Sequence, residues 1–266
     1  MLFQNQKTAL PYSIFDTHAH YDGESFDPVR DELLENLGAM GVGYVINNST
    51  DLVGSAEKCL EIAKKHPRCY TAIGVHPETV ETLGEPLNEE RLKSLLKRPS
   101  VVAVGEIGLD YYWSTQQKEL QHEVFSRQCE IANEVGLPVI VHDREAHGDT
   151  LEILQETKPK GSLHCFSGSV ETALEIVKLG MYIGIGGVIT FKNARKLVEV
   201  AEAIPLNRIL LETDAPYLSP VPFRGKQCNS SLIYYTAERL AEIKGLSTEE
   251  VISVTSNNAK ILFNLK

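Results

Sequence analysis

Cysteine is scarce in this chain, and what there is cannot support a framework. The five residues, Cys59, Cys69, Cys129, Cys165 and Cys228, are odd in number and contain no C-x-x-C pair. Disulfide scaffolding and a thiolate zinc site are both excluded, which leaves the thiols as core residues. Long apolar runs are also missing. Nothing approaches the ~18 consecutive apolar residues that cross a bilayer, and the opening M-L-F-Q-N-Q-K-T-A-L has no basic flank leading into an apolar stretch. The expectation is a soluble cytoplasmic protein with no membrane association. Positive charge is in deficit, with 26 Lys and Arg against 36 Asp and Glu, a net of -10. Such a chain repels a polyanion at long range unless cations gather locally. They do so once: residues 187–226 carry six basic and four acidic residues, a net of +2, leaving -12 for the rest. On charge alone an ordinary solvated face is the better explanation. No linker, low-complexity segment or strong repeat divides the 266 residues. One domain over 1–266 is expected, with a monomer as the working assumption.

What the chain does have is alternation. Short β-branched runs at 13–18, 43–48, 70–75, 101–106, 138–142, 162–166, 181–186 and 208–213 read as eight strands. Amphipathic stretches separate them. Asp27 with Pro28 can start a helix that stops near Gly41, and Ser114 or Thr115 one that ends at Gly136. Further helices are expected at about 51–66, 88–98, 169–179 and 229–244, and Ser247 with Glu250 forms a capping box for a last one. Strands alternating with helices imply right-handed βαβ units and a parallel sheet. Eight units in this length point to an α/β fold, a closed (β/α)8 TIM barrel.

On that barrel the titratable residues fall together. Asp16, His18 and His20 alternate along strand 1 and so share a face. His18 and His20 lie at the end of strand 1, His76 just past strand 3, Glu106 at the end of strand 4, His142 at the end of strand 5, His164 near the end of strand 6 and Asp214 just past strand 8. All are C-terminal ends, the face on which barrel enzymes build active sites. His66, His122 and His147 fall in helical stretches and read as surface residues. A lone histidine at a strand end is ordinarily structural. Five imidazoles and two carboxylates on one rim, however, are costly unless something coordinates them. Nitrogen and carboxylate ligands without thiolate suit a zinc- or manganese-like divalent ion, and magnesium fits so many nitrogens less well.

The stretches F-D-T-H-A-H (15–20), G-V-H-P-E (74–78), G-E-I-G-L-D-Y-Y-W (105–113), V-H-D-R-E-A (141–146), H-C-F-S-G (164–168), E-T-D-A-P-Y-L (212–218) and P-F-R-G-K (222–226) carry a resemblance to the TatD family of metal-dependent deoxyribonucleases, within the amidohydrolase-like barrels. The resemblance implies a binuclear site for two divalent ions, zinc, manganese or magnesium. His18, His20 and Asp214 would hold one, His142 and His164 the other, and Glu106 would bridge them. A carboxylate's two oxygens can join ions ~3.5–4 Å apart, the separation used in phosphodiester hydrolysis. The implied activity is DNA cleavage by an activated water, as a 3′-5′ exonuclease or 3′-end processing enzyme acting on single-stranded or damaged DNA. Asp214 serves as general base as well as ligand. His76 either donates to the scissile phosphate or merely stabilises the loop before Pro77. Asp16 either orients an imidazole or caps the strand entry.

Arg224 and Lys226 are candidates for flanking phosphates. Tyr112, with Tyr111 and Trp113, either stacks on an unpaired base or packs its own loop. The acidic remainder of the surface favours a strand end or a single strand over a wrapped duplex. After P-F-R-G-K the family usually continues with an Arg-Asn-Glu-Pro-like stretch, whereas this chain reads Q-C-N-S-S (227–231), which bears on the conformation of that loop. Two other readings stand beside the nuclease: a hydrolase of a small phosphoester, lactone or amide, which would have a closed apolar pocket, and a non-catalytic, metal-loaded nucleic-acid-binding protein.

Overall fold

Each of the eight apolar runs forms a strand in the computed structural model, which describes residues 14–113 and 115–266. Ser13 of the first predicted strand, Ser114 as a helix start and the opening ten residues lie outside the described ones. The strands are β1 (Ile14–Ala19), β2 (Val42–Asn48), β3 (Cys69–Ala72), β4 (Val101–Asp110), β5 (Val139–Arg144), β6 (Gly161–Leu163), β7 (Tyr182–Ile185) and β8 (Ile209–Leu211). They pair in parallel in sequence order. The ring closes where β8 returns to β1 through a bridge between Ala19 and Ala215, with His20 N donating to Ala215 O at 2.7 Å and Asp214 N to His18 O at 2.9 Å. The fold is the (β/α)8 barrel that the alternation predicts.

The helices are α1 (Arg30–Asn36), α2 (Gly54–Lys65), α3 (Pro77–Leu83), α4 (Glu89–Leu95), α5 (Lys118–Val135), α6 (His147–Thr157), α7 (Val170–Lys178), α8 (Arg195–Ala203), α9 (Ile233–Lys244) and α10 (Thr248–Leu262). Several predicted ends are found. Asn88, Ser169 and Ser247 each accept a backbone N–H of the first turn through the side chain, and Gly136 ends α5 in the left-handed conformation. Two predicted starts differ. Asp27 does not cap α1, whose N-cap is Val29; its carboxylate is taken by Arg30 and Lys58 instead. Thr115 does not cap α5, which starts after Gln117.

Inside the ring, Phe15, Ile46, Ala72, Val102, Ala103, Ile140, Tyr182 and Leu210 form a buried cluster with Ala259 and Phe263. Seven strands contribute to it, which only the barrel interior can accommodate, and the α10 end of the chain packs against it. A larger apolar cluster fills the layer between strands and helices. Four of the five cysteines are buried and all are free, in keeping with their assignment to the core. Among the described residues no helix is long and apolar enough to cross a membrane.

Candidate metal centre

Glu106 is the hub of the C-terminal face. It lies inside β4, not at its end, because the strand runs on to Asp110. Its side chain is buried, and its two oxygens look in different directions. Oε2 lies 3.2 Å from His18 Nε2 and 3.3 Å from His20 Nε2. Oε1 lies 2.8 Å from His164 Nε2, 2.9 Å from His142 Nδ1 and 3.5 Å from His76 Nε2. Asp214 Oδ1 completes the first group, at 3.8 Å from His18 Nε2 and 3.6 Å from His20 Nε2.

Four strand ends, those of β1, β3, β5 and β6, supply the five imidazoles. His18 is on β1, His20 directly follows it, and His142 is within β5, which continues two residues further than predicted. His164 stands just past β6, which is shorter than predicted and stops at Leu163. Asp214 stands beyond β8 with a positive φ of 59°. In three of the rings a contact on the far side fixes the working nitrogen. His20 Nδ1 is 3.0 Å from the Asn48 carbonyl, so Nδ1 donates and Nε2 faces the centre. His142 Nε2 is 2.9 Å from Asp110 Oδ2, so Nδ1 faces Glu106. His76 Nδ1 accepts from Glu78 N at 3.2 Å, capping α3, so the Nε2–H points into the cleft.

The electrostatics follow from this crowding. Burial alone would raise the Glu106 pKa, but the surrounding imidazoles, His164 foremost, and the hydrogen bond from His142 hold it well below the usual carboxylate range. Burial, reinforced by His164, pushes His18 down to about 3, so that ring is neutral. Burial also opposes charge on His142, yet Asp110 and Glu106 raise it to about 10.

A divalent cation fits this donor set. Three groups of converging donor atoms, His18/His164/Asp214, His18/His20/Glu106 and His76/Glu106/His142, each have their ligand atoms within 4.8 Å of one another. The Nε2 atoms of His18 and His20 face each other at 3.1 Å, so either one of them carries a proton or a cation lies between them. The opposite nitrogens of His18 and His164 are buried without a hydrogen-bond partner, which leaves the Nε2 atoms of both rings directed at the centre.

Other predicted residues take different places. Asp16 touches no imidazole ring. It is fully buried and ties β1 to the segment after β8, accepting from Thr213 Oγ1 at 2.7 Å, Thr213 N at 3.1 Å and His18 N at 3.2 Å. Burial pushes its pKa up to about 6 against those hydrogen bonds. Arg224 and Lys226 are exposed on the loop after β8, where Arg224 lies over Phe191 and Lys226 over Phe223. The departure at 227–231 forms buried structure: Ser230 N donates to Tyr21 Oη at 2.8 Å, and the Asn229 side chain accepts from Ser231 N. Tyr111 packs its loop, with Oη 2.5 Å from His122 Nε2 and 2.8 Å from Asp149 Oδ2, whereas Tyr112 and Trp113 are exposed. His66 is not a surface residue; it is 5% exposed and paired with Asp31.

Three residues at this face were not singled out from sequence. Asp110 and Arg144 each share the alternation of a candidate ligand, four residues after Glu106 and two after His142. Glu212 is two before Asp214; it accepts from Cys165 N, and Oε1 is 3.8 Å from His164 Nδ1. Burial pushes the Glu212 pKa up to about 7, despite His164 and the Cys165 N–H.

This barrel and donor set define a metal-dependent hydrolase. The chain belongs to the TatD family: the family model for TatD related DNase matches residues 15–264. It is 41% identical over 256 residues to the metal-dependent hydrolase YabD of Bacillus subtilis, covering 95% of this chain and 99% of that one. Identity to the metal-dependent hydrolase YcfH of Escherichia coli is 38% over 258 residues, covering 95% and 96%. The crystal structure of the TatD homologue YJJV from Escherichia coli matches with a TM-score of 0.88 at 32% identity, over 97% of this chain and all of that one. The protein is therefore a metal-dependent hydrolase acting on ester bonds.

Proposed function

We propose that the protein is a DNase that cleaves phosphodiester bonds at a binuclear metal site, acting as a 3′-5′ exonuclease or 3′-end processing enzyme on single-stranded or damaged DNA. The observation that carries this reading is the division of Glu106. One oxygen faces His18 and His20, and the other faces His142 and His164, the disposition of a carboxylate shared between two ions. His18, His20 and Asp214 would hold one ion and His142 and His164 the second. When bound, the ions supply Lewis acidity for activating water and neutralising phosphate charge.

The protein's own groups do the rest. Asp214, half-open at the rim, takes a proton from the attacking water as the water oxygen bonds to phosphorus and the bond to the departing sugar oxygen breaks. His76 donates Nε2–H to the phosphate, a role its cap on α3 supports, because Nδ1 is already an acceptor. Arg224 and Lys226 hold flanking phosphates, and Tyr112 lies against the substrate. The locally positive loop admits a strand end where the acidic remainder of the surface repels a long duplex.

The test is cleavage of end-labelled single-stranded and duplex DNA by metal-stripped protein restored separately with magnesium, manganese or zinc. Glu106→Ala and Asp214→Asn serve as controls. Metal-dependent laddering from the 3′ end, lost in both variants, is the expected result. Folded, metal-loaded protein that leaves every DNA intact overturns the nuclease reading and directs attention to small phosphoesters, lactones and amides.

A further inference from the structure

Beside the centre, the side chains of Arg144, Tyr112 and Trp113 form a stack, of which only Tyr112 has so far been given a part in binding. The Arg144 guanidinium lies 3.8 Å from the centroid of the Tyr112 ring and 5.4 Å from that of Trp113, and the two rings meet edge to face at 4.8 Å. Tyr112 is 54% exposed and Trp113 66% exposed; among the other described aromatics only Tyr217 is comparably open. Among the described residues Arg144 packs on these rings, and its charge acts on Asp110 without a close ion pair.

The stack is held in register with the candidate centre from two directions. Arg144 is two residues beyond His142 on β5, on the same face and about 7 Å further along the strand. Tyr112 is anchored through Asp110, whose Oδ1 accepts the Tyr112 N–H at 2.9 Å while Oδ2 lies 2.9 Å from His142 Nε2. One buried carboxylate thus spaces the exposed ring from the imidazole.

We infer that Arg144, Tyr112 and Trp113 form a subsite for one unpaired nucleotide of the strand entering the centre, with Arg144 on its phosphate and an aromatic ring on its base. The inference rests on the nuclease reading and deepens it. An unpaired guanidinium in a chain of net charge -10 answers an anion, and two exposed rings answer a flat partner. A nucleotide offers both, and every base has a π-face, so the subsite accepts any sequence but needs the base unstacked. Paired bases within a duplex do not present that face.

Trp113 is the only tryptophan in the chain, so its emission reports directly on this surface. The experiment uses the full-length, zinc-loaded protein with a phosphorothioate thymidine octamer, and with the same octamer carrying abasic sugars at its 3′ end. Anisotropy of a 5′ label measures binding. Cleavage of the ordinary phosphodiester is followed in parallel. Saturable change in Trp113 emission with thymidine, absent with the abasic end, is expected. Arg144→Ala and Tyr112→Leu should weaken octamer binding by about 5- to 150-fold, while Tyr112→Phe, which keeps the ring, retains it. Thermal unfolding of each variant separates loss of binding from loss of fold.

Cleavage with equal binding of both octamers and silent Trp113 emission overturns the subsite and leaves the nuclease standing. Emission change that requires the base, without cleavage, supports the subsite and removes the nuclease. Neither binding nor cleavage overturns both.

Discussion

Asp110 Oδ2 and His142 Nε2 lie 2.9 Å apart, which commits the opposite nitrogen of His142 to the centre. A carboxylate behind a ligating imidazole fixes the ring's orientation and raises its basicity. Asp110→Leu should therefore weaken divalent-ion binding by ~10- to 100-fold, with Asp110→Asn, which keeps an acceptor, losing less. Competition with a chromophoric chelator measures the affinity. Equal affinity in Asp110→Leu and the parent would remove Asp110 from any role toward the ion.

Removing metal should lower stability. Convergent imidazoles and buried carboxylates bind an ion only when folded, and such binding adds ~2.7 kcal/mol at a hundred times the Kd. In a chain of this length that corresponds to a Tm higher by roughly 5–10 °C with ion than with chelator. Calorimetry across a zinc titration checks it, and a Tm that ignores both zinc and chelator would refute it.

Gly108 sits between Glu106 and Asp110 on β4 with a φ of 144°, and a Cβ there would collide with the His142 carbonyl on β5. Both the backbone conformation and the close approach require glycine. Gly108→Ala should cost more than ~2 kcal/mol in denaturant unfolding, toward the upper end of ordinary single substitutions. A smaller loss would mean that β4 and β5 can separate without harm.

Asp149 offers a pH test away from the centre. Hydrogen bonds from Lys118 and Tyr111, against some desolvation, lower its pKa to about 2. A carboxylate whose folded pKa is depressed contributes stability above its unfolded value of ~3.9 and loses it as pH falls toward the folded value. Relative to Asp149→Asn, the parent should be more stable at neutral pH by a small, salt-sensitive margin. That margin should shrink below about pH 4. Melting curves of both proteins from neutral to acid pH decide it; a margin that widens on acidification contradicts the assignment.

The barrel is legible in the sequence because each strand is a short β-branched run between breakers, and the histidines are legible because they punctuate the ends of those runs. What escapes has physical reasons. α6 and α8 begin at Ala146 and Ala194, which have no side chain able to cap, and α3 is capped by an imidazole, His76, an unusual acceptor for that position. His66 reads as surface from its place at the end of α2, but Asp31 on a neighbouring helix makes its burial tolerable. The contacts of Asp110 with His142 and of Glu212 with Cys165 depend on the register between strands. Regular alternation would put Asp16 on the face of His18 and His20, but the pairing of β1 with β2 shifts register between Asp16 and Ala19, and Thr213, 197 residues away, claims the carboxylate.

That last contact bears on how the protein is made. The seam between β1 and β8 brings Asp214 beside His18 and His20, and Asp16 binds Thr213 across it. The first two imidazoles of the centre emerge from the ribosome early and their carboxylate partner late. A nascent chain consequently holds an unfinished ring whose rim is incomplete until the eighth strand docks. The proposed metal site is therefore complete only once the barrel closes, so its assembly and the last step of folding are one event.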